Sequence, residues 1–511
     1  MANDWHPKPG DKFIRLPRAK AHPLRRVLGV FGLFSAGYGN VGSSIYYALG
    51  LVALIALGAT PIVLLIAGIF FIFTALSYAE GTAMLPEAGG SASFARRGFN
   101  DFFGSIAGWA LAFSYIVTIA ISAFAVPSYL GYFWAPLKDS ASIATIAAMG
   151  IVFFLMWLNV VGVKESSILN SVFAVLDVVT QILIIVLAIV FLFNAPVLFQ
   201  RITAHWPSVP ELIFGIAVAT IAYTGVETIS QLAEEAKHPA VSAPRALVLM
   251  MIVVLILFSG ISVAGFSTMT PLEMASEWAR DPIAGIAHGF AITIIPEEVA
   301  AGLSSNPAVV IILAAFLTGL LNFVPILVAI LAATILIIAT NAGLMGISRL
   351  TFSLGRFQLV PLSLAKVHSK LKTPYRSVIL FALIAILLLI PGFFARDIFV
   401  RLGGLYAFGS LLAFALAHAS IIRLRIKHPD LPRPFKLKGN IKVRGHELPL
   451  TAILGLVATS IIWLIVVITQ PYARWVGFGW MAFGAIVYVL FRHRKHLPLV
   501  RMAREVKVSV D

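Results

Sequence analysis

The chain alternates between long apolar blocks and short polar segments. Apolar stretches lie near residues 27–56, 61–84, 104–134, 141–161, 168–193 and 209–233, then near 245–268, 322–350, 375–394, 399–422, 448–470 and 475–491. Each reaches or approaches the roughly 20 residues that a helix needs to cross a hydrocarbon layer. Twelve membrane-spanning helices are therefore expected, in an all-α fold. Residues 307–321 are also apolar, but about fifteen residues is short for an independent crossing. They read as an external helix or as an extension of the eighth span.

Two of the blocks are interrupted at their middle. The first carries Gly37-Tyr38-Gly39-Asn40-Val41-Gly42-Ser43-Ser44-Ile45, and the sixth carries Ala222-Tyr223-Thr224-Gly225-Val226-Glu227. Glycine and small polar residues weaken a helix where lipid demands an unbroken one. Paired interruptions in two halves of a hydrophobic chain point to a binding site near the bilayer midplane, as in secondary transporters. At each break, N–H groups that open the second half-helix lose their partners and meet the positive end of the helix dipole. A substrate carboxylate suits that end, and Gly42, Ser43 and Ser44 allow close approach. Unwound carbonyls near Val41, and from Ile221 through Ala222 to Tyr223, are candidate acceptors for a substrate ammonium. Ile45, Thr224 and Gly225 complete the two segments. The competing explanation is that small residues merely let helices pack closely.

Composition agrees with the span pattern. Sixty per cent of residues are hydrophobic, 12% are charged, and the mean hydropathy is +0.96. A soluble fold of 511 residues could not hide that much apolar surface. With no cysteine, a disulfide, a thiolate metal site and a thiol nucleophile are all excluded. The net charge of +16 is not a nucleic-acid footprint, because the basic residues fall outside the apolar stretches. Of 38 Lys and Arg, only Lys138, Arg201, Arg280, Arg396, Arg401 and Arg474 lie in segments that twelve spans would place outside; the other 32 lie inside. This asymmetry predicts a multi-pass plasma (inner) membrane protein with both termini cytoplasmic.

Several short motifs, taken in order, resemble one family. They are Pro86-Glu87-Ala88-Gly89-Gly90-Ser91, Gly162-Val163-Lys164-Glu165-Ser166, and Glu234-Glu235-Ala236-Lys237-His238-Pro239 followed by Pro244-Arg245. Further on come Ser348-Arg349-Leu350-Thr351-Phe352-Ser353-Leu354-Gly355-Arg356, Pro361, Thr373-Pro374 and Arg433-Pro434-Phe435-Lys436. Over roughly residues 30–440 the chain resembles an amino acid permease of the amino acid–polyamine–organocation (APC) superfamily. The resemblance implies a LeuT-like five-plus-five inverted repeat with two additional C-terminal helices. The chain would then divide into a basic tail (1–26), a first repeat (27–208), a second repeat (209–422), a basic loop (423–447), spans eleven and twelve (448–491) and a second tail (492–511). It also implies that a bundle of spans one, two, six and seven rocks against a scaffold of spans three, four, eight and nine. The chain departs from the family pattern at Ser44, which stands where a second glycine is usual, and at Ile221, where an aromatic gate residue is common.

The fifth span adds a polar stripe, Asn170, Asp177 and Gln181, with Ala174 on the same arc at 100° per residue. An intramembrane acid normally faces protein or a water-filled cavity. Seven residues after the Asn, many permeases resembling this one carry a lysine thought to replace a bound sodium; here Asp177 reverses the sign. Burial favours the neutral form of a carboxylic acid, so Asp177 is a candidate proton carrier. The alternative is an ionised Asp177 that ligates Na⁺ with first-span carbonyls and groups such as Thr340 or Asn341. A structural aspartate that locks the fifth span to its neighbour is the plainer explanation. Glu227 is a candidate contact for a cationic substrate group, Tyr115 and Thr118 are candidate cavity-lining residues on the third span, and Glu80 is expected to have a structural or gating role. Glu234, Glu235, Lys237 and Arg245 are expected to solvate a cytoplasmic loop, with an inner ion pair as the alternative.

The expected function is transport of an amino acid by alternating access, coupled to a cation, with H⁺ slightly preferred over Na⁺. An organic-amine, polyamine or K⁺ carrier on the same fold is the alternative. A receptor would need a signalling partner, and no nucleophile–base or metal-ligand constellation suggests an enzyme. No cofactor and no metal are expected; the expected partners are the small-molecule substrate, the coupling cation and the bilayer. The lack of cysteine argues against a disulfide-linked heteromer, and a homodimer stays open.

Overall fold

A computed structural model describes residues 26–506, apart from 163–166, 294–297, 300, 302–303, 305, 369–370, 372, 396, 444 and 504. The side chains of 167–169 and 291–293 also lie outside the description. The expected basic tail at 1–25, most of the Gly162–Ser166 motif and Arg396 therefore fall outside the described residues.

Among the described residues the fold is all α apart from one antiparallel hairpin, β1 (Asn440–Val443) with β2 (His446–Pro449). Among the described residues, eleven helical segments are long and apolar enough to cross a membrane. The first of these, Val30–Met84, has 55 residues, about 80 Å if straight, but it is not straight. It consists of α1 (Val30–Val41), a 3₁₀ turn, α2 (Ile45–Ala56), a second turn and α3 (Thr60–Met84). Leu57, with φ of 43°, turns the chain between α2 and α3.

The two arms run in opposite directions past the same partner, the segment Val209–Gln231. Near its start, a Cβ on Gly215 would lie 2.9 Å from Ala56 and 3.7 Å from Val63. Further along, the Tyr223 hydroxyl donates to the Leu64 carbonyl at 2.9 Å. At its end, Asn40 Nδ2 donates to Thr228 Oγ1 at 2.9 Å, and Ser230 Oγ lies 2.5 Å from Thr82 Oγ1. Residue numbers thus fall along one arm and rise along the other.

The helices that frame the site are, after these, α4 (Ser91–Gly98), α5 (Asp101–Leu130), α6 (Ala141–Val161), α7 (Ser167–Leu187), α8 (Val209–Ala219), α9 (Glu227–Gln231), α10 (Pro239–Thr268), α11 (Pro307–Arg356), α12 (Tyr375–Leu389), α13 (Ile398–Lys427), α14 (Leu450–Thr469) and α15 (Pro471–Arg494). Residues 307–321 extend the eighth apolar block: α11 is one helix of 50 residues, about 75 Å long, far more than a hydrocarbon layer of about 30 Å. Its start is set by Pro307 at N1 and by Asn306, whose side chain accepts from the Ala308 N–H.

α5 lies at the centre, with almost every residue from Gly104 to Tyr129 buried. The outer helices instead present apolar side chains outward, for example Ile312, Phe316, Ile468 and Trp475, each more than 60% exposed. Large apolar side chains turned outward over so much of the surface suit lipid rather than water as the surrounding solvent.

Candidate functional site

The first interruption is milder than the sequence predicts. Val41, Gly42, Ser44 and Ile45 all keep right-handed helical backbone angles, and Gly42–Ser44 forms a single 3₁₀ turn. The Gly42 N–H still donates to the Tyr38 carbonyl. The Ser43 and Ser44 hydroxyls both donate back to the Asn40 carbonyl, at 2.9 and 3.4 Å. The backbone of this segment thus stays helical where the sequence predicts unwinding, with the Gly42 N–H and the Asn40 carbonyl both engaged. Ser44, where the family pattern has a glycine, contributes one of the bonds that hold the turn closed. Tyr38 closes the other side, its ring so near that a Cβ on Gly42 would meet it at 2.5 Å.

The sixth interruption is a true break. A 3₁₀ turn over Thr220–Tyr223 ends at Thr224 in extended geometry, and Gly225 follows with φ of +112°, which glycine adopts without strain. The Ile221 carbonyl is taken by the Thr224 N–H and hydroxyl, at 3.2 and 2.8 Å. Helix α9 then restarts, and its Glu227 Oε2 accepts from the Gly225 N–H at 3.1 Å. The two interruptions touch: a Cβ on Gly225 would meet Asn40 Nδ2 at 2.8 Å and Val41 Cγ2 at 3.1 Å.

Side chains of the sixth break diverge. Tyr223 turns away from the first break, its ring 5.3 Å from both Phe71 and Phe258 and its hydroxyl held by Leu64. Ile221 points toward Gly403 on α13 and Ala222 is fully buried. Glu227 points inward, is fully buried, and its Oε1 has no hydrogen-bond partner. The Tyr78, Tyr115 and Tyr406 hydroxyls lie within electrostatic reach of Glu227, are buried, and have no partner either. Tyr115 also neighbours Thr228, and Tyr406 neighbours Thr118 and Thr224. Four helical segments (α3, α5, α9 and α13) thus converge on one polar cluster inside the protein. Unpartnered buried polar groups are costly and rare, so the cluster is chemically suited to receive a polar ligand.

The polar stripe on α7 faces the protein as its periodicity predicts. Ala174, Asp177 and Gln181 are buried, whereas Val175, Leu176 and Val179 are exposed on the opposite side. Asp177 Oδ1 accepts from the Tyr46 hydroxyl at 2.5 Å. Asp177 Oδ2 accepts from Tyr38 at 2.7 Å and from Gln181 Nε2 at 2.8 Å. Both tyrosines lie on the two sides of the first interruption, so one carboxylate ties α1 and α2 to α7.

The grouping of Asp177 with Thr340 and Asn341 is not what the structure shows. Asn341 Oδ1 accepts from Asn159 on α6 at 2.5 Å, and the Thr340 hydroxyl donates to its own helix at Leu336. Among the described residues no hydrogen bond links either to Asp177. The residues that sequence reasoning did not single out are Tyr38 and Tyr46 around Asp177, and Tyr78, Tyr406, Asn40 and Thr228 around Glu227. Tyr38 and Asn40 stand within the interrupted motif itself, which was the available signal. Tyr78 and Tyr406 sit in helices with no local irregularity, and only the fold brings them in.

Glu80 is fully buried and accepts from Arg425 with both oxygens, at 2.8 and 2.6 Å, and from the Leu437 N–H at 2.8 Å. Glu234 and Glu235 do not solvate a loop. Glu234 is buried against Arg356 at 2.9 Å, and Glu235 pairs with Arg349 at 2.6 Å. Lys237 and Arg245 are exposed, as expected. At the opposite end, Lys138 Nζ lies 2.8 Å from Asp281 and 3.8 Å from the centre of the Trp278 ring. Burial pushes the Asp281 carboxyl above the usual range, with Lys138 pulling against it.

This constellation of interrupted helices around a buried polar cluster, in a chain of long apolar helices, is that of a multi-pass membrane transporter. The chain matches the family model described as amino acid permease over residues 28–491, and it belongs to that family. It is similar to the branched-chain amino acid permease BcaP of Bacillus subtilis (strain 168), at 27% identity over 93% of this chain and 95% of the relative. It is also similar to the methylthioribose transporter of the same organism, at 25% identity over 94% and 96% of the two chains. A third relative, the glutamate/serine transporter AimA, again from Bacillus subtilis, is 25% identical over 92% of this chain and 86% of its own.

Proposed function

We propose that this protein moves an amino acid across the plasma membrane by alternating access, with proton movement through Asp177 as the driving step. It would have twelve crossings in a five-plus-five inverted repeat, with α1–α3 and α8–α10 rocking against α5, α6, α11 and α12. Both termini would face the cytoplasm. The substrate would lie between the two interruptions, lined by Val41, Gly42, Ser43, Ser44, Ile45, Tyr115, Ile221, Ala222, Thr224, Gly225 and Glu227; Tyr223 is outside that lining. One observation carries this reading. The interruptions in α1–α2 and α8–α9 meet beside unpartnered buried acceptors and hydroxyls.

A sodium site at Asp177 is disfavoured by the donors that already occupy its carboxylate. Both carboxylate oxygens already accept hydrogen bonds from hydroxyl and amide groups. A sodium ion needs oxygen acceptors instead, and Thr340 and Asn341 have other partners. The second reading, a cationic organic-amine or K⁺ substrate, draws on the unpartnered Oε1 of Glu227.

Proteoliposome uptake of labelled amino acids, putrescine and a K⁺ analogue, under imposed pH or Na⁺ gradients, tests both. Saturable amino acid uptake driven by the pH gradient is expected. Uptake of amine or cation alone overturns the substrate class, and dependence on Na⁺ overturns the coupling ion. Asp177→Asn is expected to retain binding but to lose gradient-driven accumulation; unchanged gradient dependence removes Asp177 from the coupling step.

A further inference from the structure

Residues 498–503, 505 and 506, after the last long helix, do not leave the protein. Arg492, fully buried at the end of α15, donates to the carbonyls of Pro498 and Arg501, and the Tyr488 hydroxyl donates to the Leu499 carbonyl at 2.6 Å. The Ala503 N–H donates to Asp101 Oδ2 at 2.7 Å, and its carbonyl accepts from Arg96 Nη2 at 2.7 Å. The Val506 N–H donates to the Arg356 carbonyl at 3.1 Å. The segment is therefore tied to the ends of α4, α5, α11 and α15 at the basic face.

Glu505 is the charged member of this strap. Its Oε1 lies 2.7 Å from Arg97 Nη2 and 3.1 Å from Arg96 Nη1, and its Oε2 lies 3.9 Å from Arg356 Nε. Each flanking arginine has a second acid: Glu87 is 2.7 Å from Arg97, and Glu234 is 2.9 Å from Arg356. The ring closes on itself, because Glu234 Oε1 accepts from the Ala88 N–H at 3.1 Å and the Ala88 carbonyl accepts from Ser353 on α11 at 2.7 Å. Glu87 and Glu234 follow α3 and α9, whereas Arg356 ends α11. Glu87, Asp101, Glu234 and Glu505 balance Arg96, Arg97, Arg356 and Arg492. Without Glu505 each arginine keeps one acid, but three carboxylates are left to balance four guanidiniums and the link between Arg97 and Arg356 is lost.

We propose that this strap is a latch that holds the transporter closed on its cytoplasmic side, with Glu505 as its catch and Ala503 and Val506 as its backbone ties. The proposal rests on the alternating-access reading, since opening the inner path must part the loop after α3 and the end of α9 from α11. The ring that Glu505 completes spans that gap. Release of the strap frees Arg97 and Arg356 to separate and favours the inward-open state.

The test uses thiol accessibility, because the chain has no cysteine. Ala342 lines a small cavity of about 40 Å³ with Thr228, Gln231 and Arg349, between the polar cluster and the inner ion pairs. Ala342→Cys in inside-out vesicles is labelled with a membrane-impermeant maleimide. Glu505→Gln, and separately a chain ended at Ala503, are expected to raise the labelling rate at least threefold, with Glu505→Asp near the parent rate. Unchanged or slower labelling in both variants overturns the latch. If labelling rises but no gradient drives amino acid uptake, the latch stands and the functional reading falls.

Discussion

At the residue scale, the two acids of the interior are in opposite situations. Both oxygens of Asp177 accept hydrogen bonds, whereas Glu227 keeps one oxygen with no partner. The first is arranged to hold a charge or pass a proton within a fixed cage, and the second is arranged to meet something else. The cage is also asymmetric. Oδ2 has both Tyr38 and Gln181, but Oδ1 has Tyr46 alone. Tyr46→Phe is therefore expected to cost more than Tyr38→Phe, on the order of 2 kcal/mol for a hydrogen bond to a charged group. Thermal unfolding of the detergent-solubilised variants checks this; equal losses would mean that Gln181 shifts to cover either oxygen.

At the scale of elements, two sequences of similar composition give different breaks. Both carry glycine and hydroxyl residues, and both were legible as interruptions of an apolar block. Which one unwinds was not, because the outcome depends on partners from outside the segment. Gly42 stays helical under the Tyr38 ring, whose hydroxyl is held by Asp177 of α7, while Gly225 reaches φ of +112° against Asn40. The polar stripe of α7 was readable because periodicity alone decides which face a residue shares. Its tyrosine partners were not, since nothing local in α1 and α2 encodes a contact with a helix more than 130 residues away. The two glycines should accordingly fail in different ways. Gly225→Ala forces an L-residue to positive φ against Asn40, and the backbone strain alone costs about 1–3 kcal/mol; transport and thermal stability are both expected to fall. Gly42→Ala keeps its backbone angles and pushes the Tyr38 ring, so its effect is expected in gradient dependence before stability. Uptake measured with and without the driving gradient separates the two.

At the scale of the whole molecule, the ion pairs of the described residues gather at the ends of the long helices and in the segments that join them. The inner ring joins the loop after α3, the end of α9, the end of α11 and the Glu505 strap through alternating acids and arginines. Its strength depends on every acid being ionised, and Glu87 shows the balance. Burial pushes its carboxyl up, but the guanidiniums of Arg97 and Arg356 outweigh that and hold it below the usual carboxylate range; Arg97 is in turn shifted up by Glu87 and Glu505. A carboxyl with a lowered native pKa stabilises the fold above its unfolded pKa, and this contribution is lost as pH falls through the native value. Glu87→Gln is thus expected to lower the unfolding temperature at pH 7, where removal of one partner of a buried pair costs up to about 3–5 kcal/mol. The gap from the parent should close progressively below the ordinary glutamate pKa of 4.5. A gap that stays constant down to strongly acidic pH would mean that Glu87 holds the ring by shape rather than by charge. In that case the electrostatic account of inner closure would have to rest on Glu234 and Glu505 alone.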